Sequence, residues 1–256
     1  MASVESEGFR AHRALESTWR RLYEALDDAS FEPRSDLIIA LCPSFPIPQC
    51  NGPWVVEDSP AAVSALPDAI AEVEAAGAWP WVQTRTGHDR TQQAAAELGL
   101  TQVERLPGMV VRPGELAVTP TDVEIALVGP DDIDEANRIL AASFEAPKEL
   151  FERFSAALQT IDGGSWYIGR VEDLMVSTAL ALTIDEATGI FNVATPPEHR
   201  GRGYGAALTA HAVGAGFEAG SAFAFLQSST LGHGVYRRLG FRDVEEYILL
   251  TRPVAA

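Results

Sequence analysis

The sequence predicts an α/β fold, and three observations carry that expectation. Strand-like and helix-like patterns alternate through the second half of the chain. Three apolar segments in succession, 166–170, 176–184 and 188–195, read as a meander of strands. The last of them runs through a basic, glycine-rich turn, His199-Arg200-Gly201-Arg202-Gly203-Tyr204-Gly205, directly into an alanine-rich helix.

Taken in order, the second half begins with alternation over Val123–Val128, which predicts a strand. Gly129-Pro130-Asp131-Asp132 supplies a turn and cap before a helix from about Ile133 to Ala142. A second helix opens at Ala146-Pro147 and reaches about Leu158, where Gly163-Gly164 closes the section. After the strand meander, Ala206, Ala210, Val213 and Phe217 lie on one helical face. A strand at Phe223–Gln227, a helix and a final strand ending near Thr251 complete the set.

The glycine turn predicts a site for an anion. The first amides of a helix have no acceptor inside it, and the helix dipole adds positive potential there. Gly201, Gly203 and Gly205 let main chain approach a ligand that side chains would push away. A Walker loop would need Lys-Ser/Thr after its glycine, and no Lys follows Gly205. A dinucleotide fingerprint would start at the strand end, with an acidic residue about 20 positions later. Here Pro196–Arg200 intervene, and Phe223–Gln227 carries no acid.

What fits is Arg200-x-x-Gly203-x-Gly205, which resembles the pyrophosphate loop of the GNAT superfamily of N-acetyltransferases. Downstream, Val235-Tyr236-Arg237-Arg238-Leu239-Gly240-Phe241 is similar to that family's Tyr-x-x-Leu-Gly-Phe signature. Local physics agrees: Ser228, Ser229 and Thr230 are all competent helix caps, and Gly240 suits a left-handed helix end. The resemblance runs from about Thr121 to Arg252. It implies a mixed, twisted sheet flanked by helices, the acyl-CoA N-acyltransferase fold, with acetyl-CoA as cosubstrate and no metal.

Carried over residue by residue, the resemblance implies pantetheine contacts from the main chain of Val193, Ala194 and Thr195. It places the pyrophosphate on Arg200, Gly201, Arg202, Gly203, Tyr204, Gly205 and Ala206. Ser229 stands where many members carry a cofactor-contacting asparagine, so a hydroxyl would replace that contact. Tyr236 occupies the place of the general acid. No general base is assigned: Asp185 and Glu186 read as exposed turn residues, and His233 as an incidental histidine, with ordered water a sufficient alternative. Glu145, in the loop after the first helix, is either a cation-attracting acceptor residue or a solvated loop acid.

The first half echoes the same plan. Trp79–Thr84 parallels Phe223–Ser228, and Leu98–Glu104 parallels Leu239–Glu245. Trp54–Pro60 gives a strand and a helix start, with Pro60 suited to the first turn. Opposite the glycine loop stand Glu57 and Asp58, and opposite Tyr236 stands Ala95. The expected organisation is therefore a degenerate, non-catalytic GNAT-like domain at 1–116 and a catalytic one at 117–256, joined near Pro113–Pro120.

Composition narrows the function classes. A formal net charge of −17 argues against nucleic acid, which requires a basic stripe. The cluster His199, Arg200 and Arg202 stands out against that background as a local anion site. No apolar run of about 18 residues occurs, so no membrane span is expected. Met1–Glu7 lacks the features of a secretory leader, and cytoplasm is the expected location. Cys42 and Cys50 are expected to be free thiols rather than a disulfide or metal site. The expected partner is an amine-bearing acceptor, most simply a small molecule, with the chain a monomer or homodimer. The alternative reading is a CoA-binding module without catalysis.

Overall fold

The computed structural model describes residues 6–45, 50–118 and 120–253. Most of Met1–Glu7, part of the Cys42–Cys50 loop and Thr119 of the expected junction lie outside those residues. In chain order the first elements are α1 (Glu7–Glu24), β1 (Ser30–Arg34), β2 (Leu37–Leu41), β3 (Gly52–Val55) and α2 (Pro60–Ala75). Then come β4 (Trp81–Arg85), α3 (Asp89–Glu97), β5 (Gln102–Val111), β6 (Glu124–Leu127), α4 (Ile133–Phe144) and α5 (Lys148–Leu158). The series ends with β7 (Gly164–Val171), β8 (Leu174–Ile184), β9 (Ala187–Ala194), α6 (Tyr204–Glu218), β10 (Phe223–Gln227), α7 (Thr230–Arg238) and β11 (Arg242–Thr251).

These elements form two compact units, neither continuous in sequence. One takes the chain up to Thr18 together with Gly108–Val244; the other takes Trp19–Pro107 and the chain from Glu245 onward. The division runs through β5 and β11 rather than through the Pro113–Pro120 stretch. Ladder partners explain why: Gly108–Val111 pairs with β10, whereas Tyr247–Thr251 pairs with β4.

The first unit holds the strand order β5-β10-β9-β8-β7-β6. Its pairs are antiparallel except β10 with β9. The β8 residues Met175–Leu182 are all buried, because α4 and α6 both pack on this strand. On the α6 side, Ala210 and Val213 join Met109, Tyr167, Ile190, Leu226 and Phe241 in one core, with Ala206 and Phe217 at its margin. The expected helical face is thus the buried one.

The second unit orders β1-β2-β3-β4-β11, with β3 and β4 parallel. Leu37, Val55, Leu66, Ile70, Val82, Ala95 and Leu250 form its core. Pro60 opens α2 and Ser59 caps it, its Oγ accepting the Ala62 N–H at 3.0 Å. Cys42 and Cys50 are buried free thiols. Burial pushes the Cys50 thiol up to about 12, so it remains protonated. Among the described residues no helix is long and apolar enough to cross a membrane.

The series strand, helix, strand, helix, strand occurs twice along the chain: β3-α2-β4-α3-β5 and β9-α6-β10-α7-β11. The sequence echo places Gln83 opposite Gln227, and the ladders agree in register. Gln227 and Leu226 pair with Gly108 and Met109, while Gln83 and Val82 pair with Leu249 and Leu250. Helices α3 and α7 end alike, with Gly99 and Gly240 both left-handed, at φ +87° and +96°.

Gly240 is also sterically confined, since an added Cβ would lie 2.2 Å from the Glu115 carbonyl oxygen. Gly214, inside α6, has nothing within 4 Å of such an atom. Gly240→Ala should therefore destabilise by about 1–3 kcal/mol. Gly214→Ala should stabilise by about 0.5–1 kcal/mol through helix propensity. Urea denaturation of the two variants checks the opposite signs.

Candidate functional site

The site begins where two parallel strands part. Strands β10 and β9 share three rungs, Phe223↔Ala187, Ala224↔Thr188 and Phe225↔Gly189, and no more. Beyond them Leu226 and Gln227 pair with β5, while β9 continues only beside β8. The cause lies in β9. Its register against β8 shifts between Leu180↔Phe191 and Thr178↔Ala194, so one extra residue is accommodated there. Asn192 takes the left-handed φ of +47°. Such a bulge bends its strand and adds twist. The last residues of β9 consequently lead into the glycine turn alone.

That turn is built by its own main chain. Pro197–His199 forms a single 3-10 turn, and the Arg200 amide donates to the Pro197 carbonyl at 3.3 Å. Gly201 and Gly203 follow at φ +78° and +87°, conformations that side chains disfavour. The first bond of α6 runs from the Ala207 amide to the Gly203 carbonyl at 2.9 Å. Ahead of it, the amides of Tyr204, Gly205 and Ala206 have no acceptor within the helix. At Gly205 an added Cβ would sit 3.2 Å from Thr195 Oγ1 and 3.5 Å from Val193 Cγ1. Glycine there brings the helix start onto the end of β9.

The individual residues divide by what they present. Arg200, Gly201, Arg202 and Gly203 are exposed. Arg200 folds back, its Nε donating to the Thr195 carbonyl at 2.9 Å. Tyr204 is buried, so its backbone amide is what it offers a ligand. Val193 packs at the edge of the core, and the Ala194 carbonyl accepts the Ser177 hydroxyl at 2.8 Å.

Helix α7 starts at the carboxyl end of β10, as α6 follows that of β9. Ser229 is its cap, Oγ accepting the Gly232 amide at 3.2 Å, while Ser228 is buried with its hydroxyl on the Ser229 carbonyl. The Ser229 hydroxyl proton is left for another acceptor. Tyr236 is half-buried, its ring edge-on to Phe241 at 5.9 Å. Gly232 makes room for it: an added Cβ would lie 2.8 Å from Tyr236 Cε2. Loss of hydration pushes the phenol up to about 12.

Other sequence candidates fall elsewhere. Asp185 and Glu186 occupy the β8–β9 turn, at the opposite end of β9 from the glycines, and Glu186 pairs with Arg10 at 2.7 Å. His233 is held by Asp243 at 2.8 Å, which also accepts from Arg237 at 3.0 Å. Glu145 is exposed and ends α4 in a left-handed conformation at φ +53°. Sequence reasoning overlooked Ser177 and Gly232. Their only trace is a hydroxyl near the start of an apolar strand and a glycine one turn before Tyr236.

In the second unit, Asp58, which the sequence echo sets opposite the glycine loop, is engaged by another helix. The Asp58 carboxylate accepts the amides of Arg90 and Thr91 at 3.2 and 2.9 Å, together with the Thr91 hydroxyl at 2.9 Å. An internal anion therefore occupies the start of α3. Ala95, which the sequence echo sets opposite Tyr236, is fully buried.

Comparison with known proteins follows these features. Residues 124–244 match the family model described as an acetyltransferase (GNAT) domain. None of the curated proteins matches the chain. A GCN5-related N-acetyltransferase from Kribbella flavida is 24% identical, covers 98% of each chain and superposes with a TM-score of 0.73. A functionally unknown conserved protein from Staphylococcus epidermidis is 16% identical, over 89% of this chain and 95% of its own, at 0.69. A GCN5-related N-acetyltransferase from Sphaerobacter thermophilus is 19% identical, over 80% and 74%, at 0.62. At such identities these structures speak for the fold.

The raised phenol sets a pH dependence. Tyr236 holds its proton more tightly folded than unfolded, where it titrates near 10. Its stabilising contribution is complete below that pH and is lost as pH rises through about 12. Tyr236→Phe should flatten the alkaline loss of unfolding free energy, measured by urea titration between about pH 9 and 12. Burial raises Tyr23 and Tyr247 as well, so part of the slope should remain.

Proposed function

Because the chain belongs to the GNAT acetyltransferases through residues 124–244, and is thus an acyltransferase, we propose that acetyl-CoA is its donor and a primary amine its acceptor. The acetyl group passes directly from one to the other. The observation that carries this reading is the start of α6, where left-handed glycines precede amides without helical acceptors. A diphosphate matches that cradle in charge and in hydrogen-bonding sense.

In this reading the amides of Gly201–Ala206 and the Arg202 side chain hold the pyrophosphate. Arg200 contributes mainly by fixing the turn, since its amide and Nε already have acceptors within the loop. Val193, Ala194 and Thr195 line the pantetheine path where β10 has turned away. Ser229 offers its hydroxyl proton from the cap of α7. A neutral amine attacks the thioester carbonyl and loses its proton to solvent as the carbon–sulfur bond breaks. Tyr236 donates its phenolic proton to the departing sulfur, a contribution typically of about 10²–10⁴-fold. The net charge of −17 favours cationic acceptors at long range.

The amino-terminal half, residues 1–116, is proposed as a degenerate copy of the same fold that binds no cofactor. The repeated element series and matching ladder register support the duplication. The start of α2, the counterpart of α6, is capped by the Ser59 hydroxyl instead of following glycines, and Ala95 stands in the tyrosine position; both support the loss of function.

Acetyl-CoA at about 100 times its dissociation constant should add about 2.7 kcal/mol of stability, read as a rise in melting temperature. Thiol release over a panel of amines should identify the acceptor. Tyr236→Phe should lower kcat by about 10²-fold or more while leaving acetyl-CoA affinity within about twofold. No melting shift would remove the cofactor assignment. Binding without thiol release from any amine would favour a non-catalytic CoA-binding module.

A further inference from the structure

We infer that Ser177, on β8, is a positioning residue that holds the anion loop in its binding conformation. The inference rests on the acetyl-CoA reading only for what the loop binds.

Two bulges frame this serine. On β8 the register against β7 passes from Gly169↔Ser177 to Arg170↔Met175, making Val176 the extra residue. On β9 the bulge at Asn192 ends at Ala194, opposite Thr178. Bulges re-aim side chains, and the one at Val176 immediately precedes Ser177. Ser177 is fully buried, with its Oγ 2.8 Å from the Ala194 carbonyl and 2.9 Å from Thr195 Oγ1.

Proton counting fixes the direction of these bonds. A serine hydroxyl has one proton, and here it goes to the Ala194 carbonyl. Thr195 therefore donates to Ser177. The Thr195 carbonyl in turn accepts Arg200 Nε. A continuous chain thus runs from the interior of β8, through Ser177 and Thr195, to Arg200 beside the glycines. It replaces the support that β10 gives the earlier part of β9. Removing the Ser177 hydroxyl would strip this hydrogen bond from the carbonyl of the buried Ala194 and leave Thr195 without its acceptor. The loop would lose order, and no reacting group would be touched.

The test compares wild type with Ser177→Ala and Thr195→Val, which break the same link from either side. Hydrogen exchange of the cofactor-free protein should speed up by about tenfold in peptides covering 194–203, with β7 and α2 unchanged. The dissociation constant of acetyl-CoA, by calorimetry, should rise by about tenfold in both variants, and Ser177→Ala should keep kcat at saturating acetyl-CoA within about twofold. Unchanged exchange and affinity in both variants overturn the inference, as does faster exchange throughout the protein. Should Ser177→Ala fail to fold, Thr195→Val decides by the same two measurements. If wild type itself does not bind acetyl-CoA, the functional reading fails, and the exchange experiment still judges Ser177.

Discussion

The parting of β9 from β10 is the constraint from which the rest of the site follows. Two adjacent parallel strands that stayed paired to their ends would offer a ligand neither main-chain groups nor space. Parting them forfeits ladder hydrogen bonds, each with a net worth of roughly 0.5–1.5 kcal/mol. The structure offsets that loss locally. The left-handed Asn192 turns β9 away, the Ser177 hydroxyl takes up the Ala194 carbonyl, and Arg200 Nε takes up that of Thr195. Support has moved from a neighbouring strand to side chains of β8 and of the loop itself.

A helix start becomes a binding site only if the chain leaves it unsatisfied. Two helix starts of this chain show both outcomes. At α3 the Asp58 carboxylate supplies the anion internally, and a second anion arriving there would meet repulsion and no free donor. At α6 the preceding residue is Gly203, which has no side chain to bring an acceptor to the amides that follow. Arg202 adds positive charge in a protein that is otherwise strongly acidic. At these two starts a carboxylate takes up the amides in one case, and a glycine leaves them open in the other.

Those local chemistries were legible in the sequence because glycine, proline and charge act where they stand. The strands and helices from Val123 to Thr251 followed from periodicity, the start of α2 from Pro60, and the cap of α7, among Ser228, Ser229 and Thr230, from residue type. Long-range pairing was not legible. Nothing in Gln102–Val111 marks the point where its ladder partner changes, so the division through β5 could not be read from breakers such as Pro113 and Gly114. Helix α1 was overlooked although Ala11, Leu15, Thr18 and Leu22 repeat at helical spacing and are all buried. Charged residues between them masked the stripe. Ser177 illustrates the same limit at the site: its role exists only because two bulges bring it opposite Ala194.

The chemistry of Tyr236 depends on burial acting on two groups together. A phenol pushed up to about 12 is more than three orders of magnitude weaker as an acid than an ordinary thiol. Set against a fully hydrated thiolate, it would keep its proton. In the proposed transfer the departing sulfur would gain its charge beside that phenol, and desolvation raises a thiol's affinity for its proton as it does a phenol's. Burial is likewise the largest cause that pushes the Cys50 thiol of this chain up to about 12, with Cys42 adding to it. A half-buried tyrosine and a thiolate desolvated beside it would therefore be closer to matched than the same tyrosine and a hydrated thiolate. In that reading the packing of Tyr236 against Phe241 would belong to the proton transfer as well as to the core.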